Sequence, residues 1–175
     1  KANSLVNIER HQSIAASKQK ITLGISLLKN AVRLEWLFEK ATEMGIHQIV
    51  PLICERTIHE RFKMDRMQNI LQSAMIQSQQ AWLPLLCEPI TLNAFMQQHK
   101  ASVNLIAHCE PSDKKNIKEI SALDDVNLLI GPEGDFSSAE IATAATNNYT
   151  PIHLGPTRLR TETAGIFALS VLKIF

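Results

Sequence analysis

Arg160 and Glu162 stand two positions apart in the run Leu154-Gly155-Pro156-Thr157-Arg158-Leu159-Arg160-Thr161-Glu162-Thr163-Ala164. The run lies between a short apolar stretch and a helical pattern, where polar side chains can face a site. A guanidinium there can stabilise developing negative charge, and a carboxylate can take a proton or orient its neighbour. The same two residues also suit an ordinary salt bridge, and Glu162 in a first helical turn is favourable for the helix dipole in any case. A similar turn lies about twenty residues earlier, in Leu128-Leu129-Ile130-Gly131-Pro132-Glu133-Gly134-Asp135-Phe136-Ser137-Ser138-Ala139-Glu140. A glycine at a strand end lets the chain turn where a Cβ would clash and lets a ligand approach the amides. Pro132 and Pro156 stiffen the two turns. Loops of this kind suit adenine and ribose through backbone hydrogen bonds. Gly131 to Gly134 alone is an ordinary βα turn; two such loops, the second followed by Leu-Arg-Thr-Glu-Thr, indicate a cofactor pocket built from backbone.

Other chemistries find little support. The chain has neither G-x-x-x-x-G-K-[ST] nor G-x-G-x-x-G, which argues against an NTPase and a Rossmann dehydrogenase. Cys54, Cys87 and Cys109 have no metal-ligand spacing and fit small thiols of a reducing compartment. The six histidines are dispersed, without H-E-x-x-H, so no metal is expected. The 175 residues suffice for one packed domain, and 45% apolar with 20% charged residues is ordinary for a globular protein. No apolar run is long enough to span a bilayer, and Lys1-Ala2-Asn3-Ser4 carries no signal-peptide pattern, so a cytoplasmic location is expected. A net charge of +1 leaves a nucleic-acid partner open, because a local patch suffices. Candidate basic positions are Arg56, Arg61, Lys63, Arg66, Arg158 and Arg160; the first four equally fit solvated charges.

The elements that must position these loops follow from periodicity. Ser4 to Glu9 alternates like a strand and His11 to Lys20 reads as a linker. Ile21 to Leu28 alternates with period two. Arg33 to Met44 places Leu34, Leu37, Phe38, Ala41 and Met44 on one helical face, with Gly45 as its C-terminal cap. Ile49 to Cys54 is a strand in which Pro51 marks an edge or an irregularity. Arg61 to Ala81 is the longest helical pattern, with Pro84 beyond it. Thr91 caps a short helix to His99, Val103 to His108 is a strand, Ser112 to Asn116 a polar loop, and Val126 to Ile130 a strand. Ser137 and Glu140 form a capping box for a helix to about Asn147. Ile152 to Leu154 is a short strand. Glu162 to Ile174 is a helix apolar nearly all round, which the domain or a partner must enclose. Alternating strands and helices predict an α/β domain with a mainly parallel sheet.

With these residues in view, the chain resembles the RsmE family of ribosomal RNA methyltransferases, of the SPOUT or α/β-knot superfamily. The marks are LLIGPEGDF at Leu128 to Phe136, LGPTRLRTETA at Leu154 to Ala164, WLFEKATEMG at Trp36 to Gly45, and Pro51 followed by Glu55-Arg56. The resemblance covers roughly residues 21 to 175. It implies a SPOUT domain over 21–175 with a C-terminal trefoil knot, and makes 1–20 the tail and linker of an otherwise missing PUA-like RNA-binding barrel. It implies S-adenosylmethionine as cofactor, methylation of a uridine N3 in 16S rRNA of the small ribosomal subunit, and a homodimer. Cofactor contacts would come from Leu105, Ala107 and His108; from Ile130, Gly131, Glu133 and Gly134; and from Leu154, Gly155, Leu159, Arg160, Thr161, Thr163 and Ala164. The backbone of Ile130, Gly131, Leu154 and Leu159 would meet adenine and ribose. Arg160 is the expected catalytic charge stabiliser, and Glu162 a base or an orienter of Arg160.

Three departures from the family pattern fall at four positions. Asp135 replaces a glycine, tolerable if its φ is negative. Ile76 and Gln80 replace a glutamate and an arginine at the end of the long helix. Cys109 follows His108 where proline is common. Two other functions stay open: methylation of another RNA such as tRNA, and a non-catalytic dimeric RNA-binding module.

Overall fold

A computed structural model describes residues 18–59, 61–120 and 125–174. The predicted strand at Ser4 to Glu9 lies outside the described residues. The chain alternates as the periodicity predicts: β1 (Ile21–Ser26), α1 (Ala31–Glu43), β2 (Gln48–Ile53), α2 (Met64–Gln77), β3 (Leu85–Leu86), β4 (Ile90–Thr91), α3 (Leu92–Gln98), β5 (Val103–Ala107), β6 (Lys115–Asn116), β7 (Val126–Ile130), α4 (Ser138–Thr146), β8 (Thr150–His153) and α5 (Thr161–Ile174). The strands form one sheet in the order β3-β2-β1-β7-β5-β8-β6, with β4 also on β2. Every pairing in it is parallel.

Parallel strands buried on both faces give two cores. Leu23, Ile25, Leu105, Leu128 and Ile130 point to the side covered by α1, α2 and α5. Leu52, Ile106 and Leu129 point to the other, where Leu92, Phe95 and Ala144 of α3 and α4 meet them. Residues adjacent in sequence, such as Leu128 and Leu129, serve opposite faces because strand side chains alternate. Gly165 lets α5 lie close on α1: a Cβ there would stand 2.8 Å from Leu37 Cδ1.

Local signals explain most boundaries. Asn30 caps α1 by accepting from the Val32 amide at 3.0 Å, and Gly45 follows its end with φ +70°. Ser137 and Glu140 close both bonds of the capping box that starts α4. Thr91 caps α3, accepting from the Ala94 amide at 3.2 Å. The long helix is shorter than its pattern. It begins at Met64 without a side-chain cap and ends where Gln79 turns left-handed at φ +55°. Lys115–Asn116, expected within a loop, pairs with Ile152–His153 as the outermost strand. Pro51 is accommodated by a gap. Ile49 accepts from Cys87 of the β3 side, so Pro51, two residues on, faces that side too, between the end of β3 and the start of β4. In α5, Ala168, Leu169, Val171 and Leu172 are buried, whereas Ile166 and Phe167 remain half-buried.

Candidate active site

The strand register lines up the ends of three neighbours. Ala107 pairs with Ile130 on one side and with Ile152 on the other. Beyond this row the chain leaves the sheet three times, and the loops enclose a cleft of about 550 Å³. Ligands of open parallel sheets bind at such carboxyl ends.

The first loop, Gly131 to Phe136, is clamped from four directions. Glu133 accepts from the Lys29 amide at 3.1 Å. Arg56 donates through Nη1 to the carbonyls of Gly134 at 2.8 Å and Phe136 at 3.3 Å. The Phe136 ring is fully buried in the α3/α4-side core. Asp135 ties the loop to the end of β5, accepting from the Cys109 amide at 2.6 Å and from the Phe136 amide at 2.9 Å. Its φ is +65°, not the negative value under which an aspartate was expected to be tolerated. Asp and Asn visit this region more readily than most residues because a short polar side chain can bond locally. The Phe136 amide held by the carboxylate is that local bond, and the Cys109 amide adds one from the end of β5.

Glu140 closes the capping box by accepting from the Ser137 amide at 2.8 Å, while its other oxygen accepts from Glu55 at 2.9 Å. The loop after β2 and the first turn of α4 are thereby joined. Beside them the loop after β5 is held by Lys114, whose Nζ donates to the carbonyls of His108 at 2.9 Å and Glu110 at 2.7 Å.

The loop after β8 is more open. Gly155 has φ +120°, a conformation closed to other residues in practice, and Pro156 to Arg158 are exposed. Thr161 and Glu162 then enter α5 as buried residues. The partner of Glu162 is Arg33 of α1, with Arg33 Nε 3.6 Å from Glu162 Oε1. Arg160 is exposed and has no ion-pair partner among the described residues.

Most residues singled out in the sequence meet at this cleft. Ala107, His108, Ile130, Gly131 and Glu133 line one part of it, and Leu154, Gly155, Leu159, Arg160, Thr161, Glu162 and Ala164 the other. Leu105 is fully buried in β5, Gly134 packs beside Arg56, and Thr163 is exposed; these three do not line the cleft. Sequence reasoning missed Arg33, Lys114, Asp135 and His153 on the lining. Arg33 carried a signal, a cation in the first turn of a helix, where the dipole favours acids. Lys114 carried none. Of the candidate basic residues, Arg66 is paired with Glu35 and Arg56 serves the loop, whereas Arg158 and Arg160 line the cleft. At the end of α2, Ile76 is 72% exposed and Gln80 donates to the Glu43 carbonyl at 3.0 Å; neither residue lines the cleft.

His108 is buried with both ring nitrogens lacking a partner. Burial pushes its pKa below the ordinary histidine value, and the Lys114 ammonium adds to the effect. Burial also lowers His47 and His99. A lowered histidine binds fewer protons folded than unfolded, so stability is full above about pH 6.5 and declines as pH falls through that value. Urea midpoints should drop between about pH 8 and about pH 5.5 with an unchanged m-value; equal midpoints would contradict this.

Among the described residues no cluster of three or more His, Cys, Asp or Glu side chains is placed to hold a metal, and no helix is long and apolar enough to cross a membrane.

A parallel α/β sheet with a loop-lined cleft at its strand ends defines the class: residues 15–173 match the RNA methyltransferase domain family, and the chain belongs to it. The relatives it resembles are narrower in kind. Ribosomal RNA small subunit methyltransferase E of Synechocystis is 31% identical over 157 residues, covering 86% of this chain and 52% of that protein. The chain thus spans about half the length of that relative. Among solved structures, a methyltransferase from Legionella pneumophila in complex with SAM superposes with a TM-score of 0.80 at 36% identity, over 90% of this chain and 66% of that one. Ribosomal RNA small subunit methyltransferase E from Neisseria gonorrhoeae, bound to S-adenosyl methionine, superposes with a TM-score of 0.80 at 28% identity, over 89% of this chain and 65% of that one. The resemblance to the RsmE family drawn from the two loops is borne out.

Proposed function

We propose that this chain is the methyltransferase domain of an S-adenosylmethionine-dependent enzyme that methylates a uridine N3 in 16S rRNA of the small ribosomal subunit, in the cytoplasm. The observation that carries the reading is the cleft at the aligned ends of β7, β5 and β8, whose volume suits a ligand of this size. The residues present fit the cofactor. Gly155 leaves open space where a Cβ would point, and the walls offer backbone groups beside the apolar side chains of Ile130, Leu154 and Leu159. SAM-bound relatives of the same fold support the same ligand. When bound, the cofactor supplies a methyl group on a sulfonium whose sulfur keeps the bonding pair, so no protein group has to activate the departing sulfur.

The first loop and the turn at Leu154 would hold adenine and ribose. The base must leave its stack before N3 becomes reachable. Arg160, on the exposed side of the cleft, would position the base and stabilise charge on its oxygens. In this reading the functional unit is a homodimer, the C-terminal part forms the trefoil knot of SPOUT domains, and residues 1–20 are the tail and linker of a PUA-like RNA-binding domain.

Mapping methylated nucleotides in ribosomal RNA from cells with and without the protein tests the substrate. Loss of a single uridine methylation in 16S rRNA supports the reading, and loss in a tRNA replaces it with that target. Calorimetry with S-adenosylmethionine tests the cofactor, since no binding would leave an RNA-binding module. An Arg160→Ala protein should bind the cofactor as the parent does and lose most methylation, on the order of 10²-fold in kcat; undiminished turnover would remove Arg160 from the mechanism.

A further inference from the structure

We infer that Arg33, positioned by Glu162, stabilises the deprotonated target base together with Arg160, and that Glu162 acts through Arg33 rather than as the proton acceptor. The inference rests on the uridine-methylating reading and adds a residue to its machinery.

Arg33 lies in the first turn of α1, which contains no acidic side chain. A cation at that position opposes the helix dipole. What offsets it is across the cleft: Glu162, in the first turn of α5, where a carboxylate is favoured. The Glu162 side chain is only 10% exposed and the Arg33 side chain 37%. The carboxylate is therefore the fixed member and the guanidinium the reaching one. The nearest approach of the pair is Nε to Oε1 at 3.6 Å, longer than a hydrogen bond, so the donors of the guanidinium remain for another oxygen, and both residues line the cleft.

Several of the other charged groups around this cleft are engaged within its own loops. Glu133 holds the Lys29 amide and Asp135 the amides of Cys109 and Phe136. Lys114 serves the carbonyls of His108 and Glu110, and burial disfavours the charged form of His108. His153 ends β8, and Arg158 and Arg160 belong to the exposed loop that follows. Arg33 is thus the lining cation that a buried partner holds in place.

The step it serves is proton loss. The N3–H bond breaks, its electron pair stays on the ring and spreads over N3 and the two carbonyl oxygens, and the proton passes to water. A guanidinium beside those oxygens favours the anion, so no carboxylate base is required.

The test compares the full wild-type chain with Arg33→Met, Arg33→Lys, Glu162→Gln and the Arg33→Met/Glu162→Gln double variant on unmodified small subunits, with cofactor calorimetry on each as a check of folding. Arg33→Met should bind cofactor normally, lose on the order of 10²–10³-fold in kcat and need a higher pH for its remaining turnover. Arg33→Lys should recover part of kcat. Glu162→Gln should lower kcat alone yet cost nothing further in the Arg33→Met background. A readout without turnover is binding of rRNA fragments carrying 5-fluorouridine at the target, whose N3 is more acidic. Wild type should bind them more tightly as pH rises, and Arg33→Met should not. A raised KM at unchanged kcat would make Arg33 a phosphate contact and overturn the inference. So would a further loss from Glu162→Gln in the double variant, which would restore Glu162 as the base. A wild-type chain that methylates no uridine overturns the underlying reading along with this inference.

Discussion

Replacing Phe136 with alanine is expected to destabilise the protein by about 3–5 kcal/mol, the usual cost of removing a buried phenyl ring. The ring is fully buried among Val50, Leu52, Phe95, Met96 and Leu129. It is also the underside of the first loop. A Cβ added at Gly131 would come within 3.0 Å of the Phe136 ring, so the strand end rests directly on it. Arg56 grips the Phe136 carbonyl, and the neighbouring Asp135 reaches the end of β5. Removing the ring therefore leaves a cavity at the place where the cleft is fastened to the core. The hydrogen bonds of the loop then hold a segment with no apolar anchor. Urea unfolding should show the lost stability, and calorimetry on the remaining folded protein should show weaker S-adenosylmethionine binding. Phe136→Leu, which refills much of the volume, should recover a large part of both. A loss below about 1 kcal/mol would mean that the core closes over the gap, and the ring would then not be the anchor.

This dependence of the site on a distant core explains which parts of the molecule the sequence discloses. The long strands and helices follow from short-range signals. Leu128 and Leu129 alternate between two cores, Asn30, Thr91 and Ser137 cap helices, and Gly45 ends one. The two-residue strands β3, β4 and β6 are too short to carry a pattern; the neighbours they pair with create them. The end of α2 at Gln79 has neither glycine nor asparagine to announce its left-handed turn. The cleft was legible as two glycine-proline loops because each is contiguous. Its fastenings were not, since Arg56 to Gly134, Lys29 to Glu133 and Cys109 to Asp135 join residues far apart in the chain. The pairing of Glu162 is the sharpest case. Proximity in sequence suggests Arg160, whereas the packing of α5 on α1 supplies Arg33.

The second glycine-proline loop should respond to substitution in the opposite manner. Gly155→Ala is expected to weaken S-adenosylmethionine binding by roughly 6- to 150-fold with little change in global stability, the equivalent of about 1–3 kcal/mol of backbone strain. No heavy atom lies within 4 Å of where the Cβ would be, so space is not the obstacle. The obstacle is φ at +120°, which L residues rarely adopt. The residues that follow, Pro156 to Arg158, are exposed, so the loop can relax into an ordinary conformation without disturbing either core. It would then no longer present Leu154 and Leu159 at the cleft, and the strain would appear as lost affinity. Gly131→Ala makes the contrast, because its φ is not in the left-handed region but its Cβ would stand 3.1 Å from the Phe136 amide nitrogen. That clash is with backbone fixed by a buried ring, so its cost should fall on folding stability as well as on binding. Unfolding midpoints and calorimetric affinities of the two variants separate the causes. If Gly155→Ala lowered the midpoint as far as Gly131→Ala does, the second loop would be as rigidly fastened as the first.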